Sequence, residues 1–293
     1  MKKLLMVIGI LSIVLNTNAQ KKEIKITIEQ LSQNIYMLTG QGGNIGVFKN
    51  EKGIFIIDNQ FARLSDRILS KLKTISDKTV TMAINTHYHG DHTGGNENIA
   101  TKGATIFAQK NVRSRMEGIQ KEKGKITPSS LPVITFNEGL QLYFKDENIS
   151  AFHVHNAHTD GDAIIYFTKG NVLHMGDTFF NNRYPYIDLK SGGSIKGYIK
   201  AVEKALLIAN DDTKIIPGHG KLASKNDLDE FLKMLTKLTN AIQKEINSGK
   251  SENEIIKNTG LTAEYDAKGF GNGFINPERI RKTIYTSLTN SEK

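Results

Sequence analysis

Thr86-His87-Tyr88-His89-Gly90-Asp91-His92 packs three histidines and an aspartate into one short loop, directly after an apolar run in which Val80, Met82 and Ile84 alternate as a strand. In extended backbone, successive side chains point to opposite sides, so His87 and His89 project together and can share one cation. Asp91 and His92 follow the turn at Gly90 and can aim at a second position a few ångströms away. The chain has no cysteine. That excludes disulfides, thiolate zinc sites, iron–sulfur clusters and cysteine nucleophiles together, and leaves His, Asp and Glu to hold any metal. Imidazoles with a carboxylate suit zinc, ahead of iron or manganese.

Outward from this loop the pattern is short strands followed by helices, twice over. In the first half, residues 24–28 alternate at period two, 35–38 and 53–58 are apolar runs, and Ile68, Leu69, Leu72 and Ile75 fall at helical spacing. In the second half, 133–136, 140–144, 149–153, 163–167 and 172–175 read as strands. A helix follows from Ser194, a strand at 214–216, and a long amphipathic helix from about Lys225 with a stripe running from Leu228 to Ile246. Ser251 with Glu254 is a capping box, and Asn276 before Pro277 marks another helix start. Two such runs predict an α/β fold of the αββα type, two mixed sheets packed face to face with helices on the outer faces. No linker separates the halves, so 20–293 is expected to be one domain built of halves 20–130 and 131–293, with the polar stretch 121–130 as their connection.

His-x-His-x-Asp-His at a strand end resembles the signature of the metallo-β-lactamase superfamily, whose fold is this sandwich. Three later matches stand in order: His158 in His158-Thr159-Asp160-Gly161-Asp162, Asp177 in His174-Met175-Gly176-Asp177, and His219 in Pro217-Gly218-His219-Gly220. The resemblance spans about 24–246. It implies one zinc on His87, His89 and His158, a second on Asp91, His92 and His219, and Asp177 bridging them. It also implies hydrolysis by a water whose pKa the metals lower from about 15.7 toward 7. Asp91 or a metal-bound water would protonate the leaving group, so Asp91 is the candidate catalytic side chain.

The other histidines and aspartates carry two readings each. His153 and His155 share a strand face and are read as ordinary strand residues, with His155 as an outer partner of the site as the alternative. His174 reads as a hydrogen-bonded core residue. Asp58 and Asp162 either orient a ligand imidazole or cap a turn. Residues 181–197 hold Arg183, Tyr184, Tyr186, Lys190 and Lys196. They form either a rim for an anionic substrate, with Arg183, Tyr184 and Lys190 foremost, or a solvated loop. The glycines of 40–46 read as a mobile flap or as a hairpin turn.

Substrate class follows only in part. Phe180 stands three residues after Asp177, where β-lactamases with a cysteine ligand carry a carboxylate-binding lysine and quorum-quenching lactonases a tyrosine. The expectation is an exported zinc hydrolase of a cyclic amide, a β-lactam. A lactonase, a thioesterase, another ester hydrolase or an iron-dependent oxidoreductase of the same fold are the alternatives. Export is expected from the N-terminus, where Lys2-Lys3 precede an apolar run over 4–15 and Thr17-Asn18-Ala19 offers a cleavage site. Residues 1–19 thus read as a signal peptide, and the mature protein is expected in the periplasm or outside the cell. The 39 basic and 30 acidic residues give +9, spread without a basic block. A small-molecule substrate is therefore expected, with no nucleic acid, no membrane contact after cleavage, and action as a monomer.

Overall fold

A computed structural model describes residues 24–290. The signal-peptide reading of 1–19 lies outside the described residues.

Two mixed sheets form the centre. The first takes its seven strands in chain order: β1 (Thr27–Gln30), β2 (Ile35–Thr39), β3 (Ile45–Asn50), β4 (Gly53–Ile57), β5 (Val80–Asn85), β6 (Thr105–Gln109) and β7 (Ile134–Phe136). Neighbours are antiparallel from β1 to β4 and parallel from β4 to β7. Parallel pairing requires crossovers, and these are α1 (Ser65–Leu72), the short α2 (Gly90–Thr93) and α3 (Asn96–Ala100), and α4 (Lys110–Glu122). The second sheet contains β8 (Gly139–Tyr143), β9 (Asn148–His153), β10 (Ala163–Phe167), β11 (Val172–His174) and β12 (Lys214–Ile216), ordered β12-β11-β10-β9-β8. Helices α5 (Ile195–Ile208), α6 (Lys225–Asn247), α7 (Glu252–Lys257), α8 (Ala263–Ala267) and α9 (Pro277–Asn290) complete the chain.

The period-two alternation gives each sheet two apolar faces, and each face is covered. Phe48, Phe55 and Phe107 from one sheet meet Ile149, Ile165 and Phe167 from the other between the layers. Phe48 lies edge-on to Phe144, with centroids 5.2 Å apart. The outer face of the first sheet packs on Leu64, Ile68 and Leu72 of the α1 region, and that of the second on α5, α6 and α9 through Val202, Leu235, Leu238 and Ile284. This is the expected αββα sandwich.

The structure corrects several expectations. Residues 133–136, read as opening the second half, instead close the first sheet, because β7 pairs parallel with β6. The sheets therefore change over between Phe136 and Gly139, rather than at 130/131. Strand β1 begins later than the alternating run at 24–28, whose isoleucines pack on the outer face of the first sheet. Helix α4 extends into the stretch read as connection. The predicted caps at Ser251 and Asn276 are formed, and Ser194, read as the start of a helix, caps α5 by accepting from the Gly197 N–H. Among the described residues, no helix is long and apolar enough to cross a membrane.

Candidate metal centre

The histidine loop leaves β5, His158 follows β9, Asp177 follows β11 and His219 follows β12. Strands β9 and β11 are both antiparallel to β10, and β12 is parallel to β11, so the last three loops emerge at one edge. There Thr86 accepts a hydrogen bond from the Ala163 backbone N–H (2.8 Å), which ties the two sheets together beside the site.

Seven side chains converge as two groups. His87, His89, His158 and Asp177 make the first, and Asp91, His92 and His219 the second. In the first, His89 Nδ1 lies 3.1 Å from His87 Nε2 and 2.9 Å from His158 Nε2. Asp177 Oδ2 is 3.8 Å from His87 Nε2 and 3.6 Å from His158 Nε2. The other oxygen, Oδ1, turns to the second group, 3.1 Å from His92 Nε2 and 3.4 Å from His219 Nε2. Asp91 Oδ2 lies 3.3 Å from His219 Nε2. One carboxylate thus serves both groups.

Outer hydrogen bonds fix which imidazole nitrogen carries the proton. His158 Nδ1 faces the Tyr186 carbonyl at 2.8 Å, so it donates and leaves Nε2 bare. His89 Nε2 donates to Asp188 (3.0 Å), leaving Nδ1 bare. Thr86 Oγ1 donates to Asp58, so it accepts from His87 Nδ1 at 3.0 Å, leaving His87 Nε2 bare. Three lone pairs therefore face one another at about the separation that a tetrahedral ion imposes on its donors, roughly 3.4 Å for bonds near 2.1 Å. Asp177 Oδ1 is buried and makes no hydrogen bond within the described residues. Converging lone pairs and an orphaned buried carboxylate oxygen are costly unless a cation lies among them. The donor set fits metal ions.

The positions differ electrostatically. Burial and the imidazole of His92 keep His87 neutral, and burial lowers His158 to about 4. Burial works the same way on His92, but Asp177 and Asp58 outweigh it and raise that imidazole well above its usual value. His219 is raised to about 9, because Asp177 and Asp91 outweigh its burial. Burial pushes Asp177 up, yet His92, His219 and His87 hold it well below the usual carboxylate range. Without metal, then, His92 and His219 favour the protonated form, and His87 and His158 the neutral one.

The supports are specific. Asp58 accepts from the Thr86 backbone N–H (2.8 Å) and from His92 Nδ1 (2.8 Å), at a backbone φ of 63° that few side chains tolerate. It orients a ligand, as one sequence reading allowed. Asp162 takes the other reading, capping the turn at Thr159 (2.6 and 2.7 Å). Asp188, unsuspected from sequence, receives His89, Tyr88 (2.8 Å) and the neighbourhood of Ser191. Burial raises its carboxyl, but those hydrogen bonds hold it well below the usual range. Gly42 and Gly43 form a hairpin turn between β2 and β3 that lies on the site, the Gly43 N–H donating to the Asp91 carbonyl (3.1 Å). The turn is held by Gln60 (2.7 Å to the Gly43 carbonyl), and a Cβ on Gly43 would come 2.1 Å from His92 Cε1. Phe180 stacks on His219 at 5.2 Å and 13°.

Other predicted residues sort clearly. His174 is a core residue, bonded to the Asn44 carbonyl (3.2 Å) and the Gly176 N–H (3.1 Å), just before Asp177. His153 bonds the Asp162 carbonyl (2.7 Å), and His155 is exposed beside Glu138. Tyr184 is a correction to the rim. It is buried, with its hydroxyl donating to Asp266 (2.7 Å), because its ring fills the space beneath Phe270. Arg183 does face a cleft of about 1050 Å³ beside His219, together with Lys221. Lys190 is exposed away from that cleft.

An αββα sandwich carrying two clusters of histidine and carboxylate at one sheet edge defines a class, the metal-dependent hydrolases of this fold. Residues 38–219 match the metallo-beta-lactamase superfamily, and the chain belongs to that family. It is 20% identical over 219 residues to a metallo-beta-lactamase type 2 of Bacillus sp. (strain 170), covering 72% of this chain and 82% of that one. It is 29% identical over 182 residues to a hydroxyacylglutathione hydrolase of Pelagibacter ubique, covering 57% of this chain and 66% of that one. The solved structure of a metallo-beta-lactamase from Pontibacter korlensis superposes with a TM-score of 0.61 at 16% identity, covering 72% of this chain and 99% of that one.

Metal ions compete with protons for these nitrogens, which gives the two groups different pH limits. Because His219 and His92 hold protons to higher pH, zinc affinity of the second group falls as pH drops through about 9, while His87 and His158 remain free to bind. Titration from about pH 8 to about pH 5 should release the ion on Asp91, His92 and His219 first. Simultaneous release would contradict the asymmetry. Asp188→Asn should weaken the first ion by about 10- to 100-fold and spare the second, measured by zinc titration against a competing chelator. An unchanged first affinity would show that Asp188 does not hold His89.

Proposed function

We propose that this protein is a zinc-dependent hydrolase with two ions that opens a cyclic amide of the β-lactam class, and that it acts after export through cleavage of 1–19. The observation that carries the reading is the split of Asp177, with Oδ2 in one group of bare imidazole nitrogens and Oδ1 in the other.

His87, His89 and His158 would hold one ion and Asp91, His92 and His219 the second, with Asp177 shared. Bound there, zinc supplies Lewis acidity and an activated water, so no serine or cysteine nucleophile is required. The chain's own contribution is positioning. Asp58, Asp188 and the Tyr186 carbonyl lock the imidazoles, and the Gly42–Gly43 turn closes the floor behind His92. Asp91 lies at the open side. Its burial raises the carboxyl, but His219 and His92 hold it below the usual range, so at neutral pH it is a carboxylate. It therefore accepts a proton before it can pass one to a leaving group, which modifies its expected role as a resident acid.

The β-lactam reading is supported by the relatives that cover most of this chain, by a cationic cleft lined by Arg183 and Lys221, and by an N-terminus of signal type. The thioester reading draws support from the 29% identity to a hydroxyacylglutathione hydrolase. The test is a hydrolysis panel of penams, carbapenems, lactones and thioesters, run on zinc-loaded exported protein whose first residue is expected to be Gln20. Turnover of β-lactams above the other classes is expected, and His89→Ala should cut it by about 10³-fold. Lactone or thioester turnover far above every β-lactam would overturn the substrate assignment and leave the metal centre standing.

A further inference from the structure

The family match ends at residue 219, yet the chain continues through α6 to α9, and one piece of this extension returns to the metal centre. Residues 269–279 dock on the loop that follows Asp177. The Tyr184 N–H donates to the Phe270 carbonyl (3.2 Å), the two rings pack at 5.9 Å, and Gly273 lies against the aliphatic stem of Arg183. This seating brings Phe274 edge-on to Tyr186, with centroids 5.7 Å apart at 87°. Tyr186 in turn lies against the first ligand group, 5.8 Å from the His89 ring and 5.6 Å from that of His158.

Two side chains of this wall, Phe274 and Arg279, are exposed to solvent. Phe274 is 73% exposed, so its ring adds apolar surface beside that of Tyr186. Arg279, in the first turn of α9, holds its guanidinium over both rings, 4.5 Å from the centroid of Phe274 and 5.3 Å from that of Tyr186. Among the described residues, no carboxylate lies within ion-pair reach of it. A guanidinium parked on aromatic faces keeps its N–H edge free for a planar anion, and the rings beside it accept apolar surface.

We propose that Tyr186, Phe274 and Arg279 form a substrate-selecting subsite beside the first ligand group, which binds a carboxylate on Arg279 and an adjoining apolar group on the two rings. The substrate of the centre is then an amphipathic carboxylate. This rests on the reading of the centre as a hydrolase and goes beyond it, since the selecting residues come from two separate segments and two of them lie outside the region shared with the family.

The experiment compares zinc-loaded wild type with Arg279→Gln, Arg279→Lys and Phe274→Ala on benzylpenicillin and on its methyl ester. Both residues are exposed, so the melting temperatures should stay unchanged. Arg279→Gln should raise KM for the acid about tenfold with kcat within about twofold, in keeping with loss of one charge-assisted contact, and should leave the ester unaffected. Arg279→Lys should recover part of that loss, and Phe274→Ala should raise KM for both substrates. Equal effects of Arg279→Gln on acid and ester, or none on either, overturn the subsite. If neither compound is turned over, the failure belongs to the β-lactam reading, and the subsite is read by binding instead. The Arg279 side-chain N–H resonance of the zinc-loaded protein should shift with 3-phenylpropanoate and not with 3-phenylpropanamide. A response to both, or to neither, overturns it.

Discussion

Everything at the functional edge depends on one electrostatic problem, the meeting of bare imidazole nitrogens at hydrogen-bond distance from one another beside a buried carboxylate. His87, His89 and His158 each spend their single N–H on an outer partner, so their inward atoms can only repel. Asp177 Oδ1, buried and without a hydrogen bond among the described residues, makes the same demand from the neighbouring position. A protein interior tolerates such an arrangement when a cation completes it. In the second group a proton on His92 can stand in for that cation, which is why the two groups differ in their response to acid.

The scaffold is shaped by the need to hold that arrangement. Four loops from two sheets must meet, and close-packed layers fix their relative height. The first sheet supplies the histidine loop and Asp58, the second supplies His158, Asp177 and His219, and the aromatic layer of Phe48, Phe55 and Phe167 sets the spacing between them. Asn44 crosses the gap, donating to the carbonyls of Pro217 (2.9 Å) and Gly220 (3.0 Å). Glycine is required where backbone passes closest. A Cβ on Gly218 would fall 2.1 Å from Asp177 Oδ1, so the turn that delivers His219 can run directly beneath the bridging carboxylate.

How much of this was legible in the sequence follows from the range of each signal. The residues that converge at the candidate metal centre were legible because the chemistry concentrates them, one cluster in a single loop and three residues each behind an apolar strand. Alternation located most strands, an apolar stripe located α5, and cap residues located α7 and α9. Strand β3 was hidden because its entry is the glycine turn that packs on His92, and β6 with α4 because neither carries a strong periodic pattern. Asp188 and Arg279 could not be found by spacing, since a single charged residue in a loop or first turn looks like any solvated one. Their roles arise from contacts across long stretches of chain. Tyr184 misled for the opposite reason, as a tyrosine in a polar loop reads as surface until Phe270 is seen to cover it.

The central claim is that the two groups of donors exist to be filled, each by its own ion. Elemental analysis of the zinc-saturated protein after removal of free metal tests it most directly. Two zinc ions per chain are expected, falling toward one when Asp91→Ala removes a donor that belongs to the second group alone. A stoichiometry of one in the unaltered protein would contradict the account, because it would mean that Asp177 Oδ1, His92 and His219 are satisfied by protons and that the second group is no metal position at all.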